Sequence, residues 1–171
     1  MMERRAVPRT HVERAVQPSL LDRLTDDAID VPADPQVSWE GSKENYEAGV
    51  KRDLEQLLNT RRTPDPAGDA FPAVRRSVYN FGLPDVTGLA MHTHADRLRL
   101  LGAVQEALAS FEPRLAGLRV SLGETARLAT PQVHFTVEGL LRMDPSPERV
   151  FFDTVLEIAS GTYEVRDDGR D

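Results

Sequence analysis

The stretch "ASFEPRLAGLRVSL", residues 109–122, contains the change of period that decides the fold. Upstream of it, Leu98, Leu101, Val104, Leu108 and Phe111 step by three or four residues, the spacing of one helix face. Downstream, Leu118, Val120 and Leu122 alternate, as one face of a strand does. Between them lies Glu112-Pro113-Arg114, and Pro113 lacks the backbone N–H that a further helical turn would use. The chain therefore passes from helix to sheet at this triplet, with opposite charges held on either side of a stiff residue.

Toward the C-terminus the alternation continues. "QVHFTVEG" places Val133, Phe135 and Val137 on one face, and "RVFFDTVLEIAS" does the same with Val150, Phe152, Thr154, Leu156 and Ile158. The turn-rich "MDPSPER" between these strands predicts an antiparallel hairpin. "GTYEV" is expected to add a short edge strand, whose open side could take a strand from another chain.

Toward the N-terminus, the helix before the triplet is expected from about Ala95 to Phe111, opened by the T-x-x-D signal of Thr93 and Asp96. "FPAVRRSVYNFGLPD", residues 71–85, predicts a helix of about two or three turns, with Val74, Val78 and Phe81 inward, Gly82 as C-cap and Pro84 beyond. A longer helix starts near Ser42, where Tyr46, Val50, Leu54, Leu57 and Leu58 make one apolar face. It ends in "NTRRTPDP", whose prolines forbid continuation and whose Arg61 and Arg62 face the negative helix end. Three helices followed by strands predict an α+β domain, the helices packed on one face of a small, mainly antiparallel sheet.

That domain is expected over residues 41–166, followed by a polar tail over 167–171. Residues 1–40 read as a tail and linker, because Pro8, Pro18, Pro32 and Pro35 keep interrupting any helix. The exception is a short docking segment over residues 18–27, "PSLLDRLTDD", where Leu20, Leu21 and Leu24 form a small apolar face.

Composition excludes several functions. A chain of 171 residues with 40% hydrophobic and 29% charged side chains is globular, and its net charge of −7 argues against a general nucleic-acid binder. Any basic site must be local. The absence of cysteine removes disulfides, thiolate nucleophiles and Cys-ligated zinc. No run approaches the roughly 18 apolar residues of a membrane span, and the charged start "MMERRAVPRTHVERAV" reads as neither signal peptide nor anchor, so a cytoplasmic protein is expected. The phosphate-loop, dinucleotide and nucleophile-elbow motifs are missing, so no cofactor is expected. His92 and His94 could share one side of an extended segment, but no third ligand accompanies them and no metal site is expected.

Two kinds of site remain. Glu112, Glu138, Asp144 and Asp153 have the residue type of a glycoside hydrolase, which needs paired carboxylates about 5 to 9.5 Å apart. Against that reading, the chain has 28 acidic residues and a single tryptophan to stack a sugar. The pairs Arg61-Arg62 and Arg75-Arg76 stand out in an acidic chain, since guanidinium forks suit carboxylates at interfaces. Helix-end compensation accounts for the first pair equally well.

The succession "SLLDRL", "KRDLEQLLNTRR", "VRRSVYNFGLPD", "FEPRL", "VEGLLRMDP" and "FDTVLEIASGTYEV", in that order over about residues 18 to 165, resembles the TssE family of type VI secretion baseplates. That family is similar to a small wedge protein of contractile phage-tail baseplates and is often labelled lysozyme-like. The resemblance implies a structural protein without enzymatic activity, placed beside the subunits TssF and TssG, with TssK and the spike hub nearby. It further implies a part in starting the contractile sheath of TssB and TssC, at a cytoplasmic baseplate docked on the inner membrane. The family's Glu-Pro-Arg hallmark, implicated in wedge contacts, maps onto Glu112, Pro113 and Arg114. With Arg61, Arg62, Arg75 and Arg76 these are the expected partner-binding residues. The alternative is a muramidase using Glu112 and a second carboxylate, although no catalytic Glu and Asp pair can be placed by a matching motif. For the triplet, an interface is favoured and an internal lock stays open.

Overall fold

The structure, a computed structural model, describes residues 16–24, 38–86, 88–91, 93–123, 132–144 and 146–167. The residues before 16, most of the acidic linker, His92 and the last four residues lie outside that description. The chain forms two compact units, residues 1–47 and 48–171, divided within a helix.

In the first unit, helix α1 (Leu20–Leu24) carries its own cap. The Ser19 hydroxyl donates to Asp22 Oδ2 at 2.6 Å, and the Asp22 N–H donates back to Ser19 Oγ at 3.2 Å. Leu20, Leu21 and Leu24 are exposed. Helix α2 (Trp39–Asn59) begins at Trp39 rather than near Ser42, because Ser38 Oγ accepts the Gly41 N–H at 3.1 Å and so caps the helix earlier.

The second unit is an α+β domain, with a core formed by the buried faces of two helices and one face of the sheet. Val50, Leu54, Leu57 and Leu58 of α2 are buried, as their period predicts. Helix α4 (His94–Phe111) opens as expected at Thr93, whose oxygen accepts the Asp96 N–H at 3.2 Å. The Thr93 hydroxyl donates to Asp96 Oδ2 at 2.9 Å and holds that carboxyl below its usual range.

The inward face of α4 differs from the sequence expectation. Leu100, Val104, Ala107 and Leu108 are buried, whereas Leu98 is 51% exposed and Leu101 and Phe111 are half-buried. The period is right and the phase is shifted in part: Val104 and Leu108 are inward as expected, and Leu100 and Ala107 are buried in place of Leu98. Leucines at 98, 100 and 101 offer three starting points for the same spacing, and only packing beside the sheet chooses among them.

Residues 71–85 differ more. In place of one helix there is a single turn, α3 (Pro72–Arg75), then a 3₁₀ turn over Val78–Asn80. Ser77 makes the break: its hydroxyl donates to Val74 O at 2.7 Å and its oxygen accepts the Tyr79 N–H at 3.3 Å, bonds that compete with the helical ladder. Val74 and Val78 consequently face solvent, the latter 89% exposed, and only Phe81 turns inward, meeting the Phe111 ring edge-on at 5.3 Å. Gly82 is not a cap. Its φ of +103° brings the backbone against residues 60–62, where an added Cβ would lie 2.3 Å from Thr60 O. The Leu83 N–H donates to Thr60 O at 2.8 Å and the Arg62 N–H to Leu83 O at 2.7 Å, a short parallel bridge.

The strands β1 (Leu115–Leu122), β2 (Gln132–Leu141), β3 (Glu148–Glu157) and β4 (Thr162–Asp167) form an antiparallel meander in chain order. Val133, Phe135, Val137 and Leu141 of β2 face inward with Val150, Phe152, Thr154 and Leu156 of β3. Ile158 falls in the turn after β3. The β1 ladder skips between Ala116 and Arg119, where Gly117 at φ +61° forms a bulge.

Thr154 is 1% exposed, and among the described residues its hydroxyl has no hydrogen-bond partner. A buried, unbonded hydroxyl costs about 1–3 kcal/mol, so Thr154→Val, which keeps the shape, is expected to stabilise the domain by about 1 kcal/mol. Thermal unfolding should show a midpoint higher by about 3 °C.

Candidate partner-binding corner and cleft

The Glu-Pro-Arg corner is built by the end of α4. Glu112 closes the helix with its N–H on Leu108 O at 2.9 Å, and Pro113 disfavours the helical region for it, leaving φ −118° and ψ 77°. The Leu115 N–H returns to Glu112 O at 3.3 Å, which directs the chain into β1. In this tight turn the two charged side chains meet. Arg114 donates from Nε to Glu112 Oε1 at 2.7 Å, from Nη2 to Oε2, and from its backbone N–H to Oε1 at 3.1 Å. The same Nη2 donates to Asp53 Oδ2 on α2 at 2.7 Å. Glu112 is 4% exposed, and its hydrogen bonds push the arginine further above its ordinary basicity.

Within the chain this network has the geometry of the internal lock: it ties the end of α4, the start of β1 and the middle of α2 together. The fork of Arg114, which on the interface reading would take a partner's carboxylate or carbonyl, is held by Glu112 and Asp53. Asp53 is the residue that reading the sequence missed. Its one signal was a carboxylate lying between Val50 and Leu54 on the edge of the apolar face of α2.

The same geometry removes the muramidase alternative's main residue from reach, because both Glu112 oxygens are engaged by Arg114 in a buried turn. Of the other carboxylates, Glu138 and Asp153 are diagonal neighbours on the outward face of the β2–β3 hairpin, and each is held by a side chain of the facing strand. Glu138 accepts from Arg149 and Asp153 from Thr136 Oγ1 at 2.7 Å. Among the described residues, no group of three His, Cys, Asp or Glu could hold a metal.

The arginine pairs separate. Arg61 lies 3.5 Å from Asp85 in an exposed ion pair. Arg75 is paired with Asp69 and, at 2.9 Å, with Glu106 of α4, whose hydrogen bond raises its basicity. Arg76 is exposed. Arg62 is half-buried, and its Nε is shielded from solvent with no hydrogen-bond partner among the described residues. Arg62 and Arg75 line a cleft of about 280 Å³ with Asp69, Gly82, Glu106 and Ala107.

A second tie was also unforeseen. The Asn59 amide donates to Tyr163 O at 2.8 Å and accepts the Tyr163 N–H at 2.8 Å, joining the last residue of α2 to β4 as a strand partner would. The outer edge of β4 is therefore closed at Tyr163, and its outward groups continue at the alternate residues Val165 and Asp167.

The chain is a small α+β domain with helices before an antiparallel sheet and an arginine-held corner between them. The family model described as baseplate wedge protein gp25 matches residues 44–146, more than half of the chain, and the protein belongs to that family. The match contains α2 from residue 44 on, the corner and the arginine pairs. Membership supports a structural baseplate role with contacts to other baseplate components. No curated protein and no solved structure matches the chain. Among the described residues, no helix is long and apolar enough to cross a membrane.

Proposed function

We propose that this chain is the wedge subunit of a type VI secretion baseplate that binds TssF and TssG, adjoins TssK and the spike hub, and starts assembly of the TssB and TssC sheath in the cytoplasm at the inner membrane. The observation that carries the reading is the family match over residues 44–146, from within α2 through β2, which includes the Glu-Pro-Arg corner. The corner serves the assembly by holding α2, α4 and β1 at fixed angles, so that Pro113 and the surface around it reach a partner with little ordering left to do. Arg61, Arg75 and Arg76 lie on the same unit as further contacts, and the exposed leucines of α1 act as a docking arm. The outward groups of β4 beyond Tyr163 are the acceptor for a sheath strand.

Co-expression of the full chain with TssF and TssG, followed by fluorescence imaging of sheath assembly in cells lacking the native subunit, tests this. The expected outcome is a co-purifying complex and restored sheaths. Asp167→Pro, which removes an outward N–H at the edge, should leave the complex intact and reduce sheath number. Failure of the unaltered chain to join either subunit would sink the proposal.

A further inference from the structure

Residues 16–24 hold a short helix in place with its apolar side chains outward. Val16 is buried, and its N–H donates at 3.0 Å to Ser42 Oγ, which in turn donates to Trp39 O at 2.7 Å. This fixes the root of α1 on the first turn of α2, within the first unit. Ser19 and Asp22 then cap α1 through their reciprocal bonds. A helix of 5 residues is far below the roughly 12–15 that an isolated helix needs to persist in water, so anchor and cap are what hold it. Neither uses the leucine side chains. Leu20, Leu21 and Leu24 stand at i, i+1 and i+4 on one side of the helix and are 70%, 62% and 75% exposed.

Leucines clustered and exposed on a helix that is already formed are the arrangement of a helix that lays its apolar side in a groove. Forming the helix beforehand removes part of the ordering cost of docking. Charge points to the kind of surface that receives it. From residue 18 to residue 37 the sequence carries Asp22, Asp26, Asp27, Asp30 and Asp34 against Arg23 alone, so the charges of this stretch do not cancel. Such a segment is drawn to a positive surface. It is repelled by anionic lipid, by nucleic acid and by a second copy of this chain, whose own net charge is −7.

We infer that α1 inserts Leu20, Leu21 and Leu24 into an apolar groove on another protein of the assembly, a groove rimmed by Lys and Arg that meet the aspartates beside the helix. The inference rests on the baseplate reading, in which α1 is a docking arm, and names the chemistry of the surface that takes the arm.

The test uses the full chain with each of TssF, TssG, TssK, TssB and TssC, comparing the unaltered protein with Leu20→Ser, Leu24→Ser and the pair Asp26→Asn with Asp27→Asn. Affinity for one subunit should fall about tenfold or more with each leucine change, the loss expected when a leucine that is buried on binding is removed. The aspartate changes should weaken the same binding and flatten its dependence on salt. Because the leucines are exposed in the chain alone, its thermal midpoint should not move in any variant. A midpoint lowered by the leucine changes would mean that these side chains pack on this chain itself, and the inference falls. It falls equally if every variant binds each subunit as tightly as the unaltered chain, or if the leucine changes only disperse a self-association of this chain. In these cases the baseplate reading stands. Weakened binding in the leucine variants, with affinity and salt dependence unchanged in the aspartate variant, would overturn the basic rim and with it the partner surface inferred. If the unaltered chain binds none of the subunits, the baseplate reading falls and takes the inference with it.

Discussion

Arg114→Ala is expected to lower the thermal midpoint of the isolated chain by about 10 °C. The substitution leaves the Glu112 carboxylate, 4% exposed, without its counter-ion and removes the only described side chain that joins it to Asp53. Breaking a buried ion pair costs about 3–5 kcal/mol. Asp53 stays 29% exposed and can rehydrate, which brings the expected loss to about 3 kcal/mol, at about 3 °C per kcal/mol for a chain of this size. Arg114→Lys should recover only part of it, since an ammonium cannot bond both Glu112 oxygens and Asp53 with the same planar geometry. A double-mutant cycle gives the sharper check. Glu112→Ala with Arg114→Ala should cost well under the sum of the two single changes, because the second removes a charge the first has orphaned. Additive losses would mean that the two side chains do not act as a unit. An unchanged midpoint in Arg114→Ala, combined with lost binding to wedge subunits, would give the corner an interface role alone.

Gly82→Ala is expected to be comparably severe, by a different mechanism. The position combines a φ of +103°, which side chains rarely adopt, with a Cβ site 2.3 Å from Thr60 O. The neighbouring atom is backbone and cannot swing aside. Relief requires the Thr60–Arg62 and Leu83 segments to part, losing the hydrogen bonds at 2.8 Å and 2.7 Å between them. Strain of about 1–3 kcal/mol with two bonds of about 1 kcal/mol each gives a loss of about 3–5 kcal/mol. Amide hydrogen exchange should localise the damage to Arg62 and Leu83, with α4 and the sheet protected until global unfolding. Gly102→Ala is the matching control: it lies within α4, where an added Cβ meets nothing within 4 Å, so the same change there should stabilise by about 0.5–1 kcal/mol. A mild effect at Gly82 would mean that the 60–62 segment moves more freely than its close packing implies.

Much of the fold was legible because it rests on local rules. Periods of 3.6 and 2 depend only on which residues are apolar, so α2, α4 and the strands could be placed from spacing, and the Thr93 cap from the reach of one side chain to a nearby N–H. What failed was decided by competition. Ser77 ended a helix that apolar spacing alone would have continued, through two bonds of its hydroxyl. Three candidate leucines left the phase of α4 open. The partner-binding site was legible only as a list of unusual charges, because charge type carries no information about which opposite charge lies near.

The sequence by itself determined the order of helices and strands, the switch at Pro113, and the presence of Glu112 and Arg114 beside it, because each follows from contacts within a few residues. Only the tertiary structure decided that these charges meet Asp53, 61 residues earlier in the chain, and that Arg75 is satisfied while Arg62 is not. The physical reason is that an ion pair depends on distance in space, which the packing of α2, α4 and the sheet sets and which separation along the chain does not.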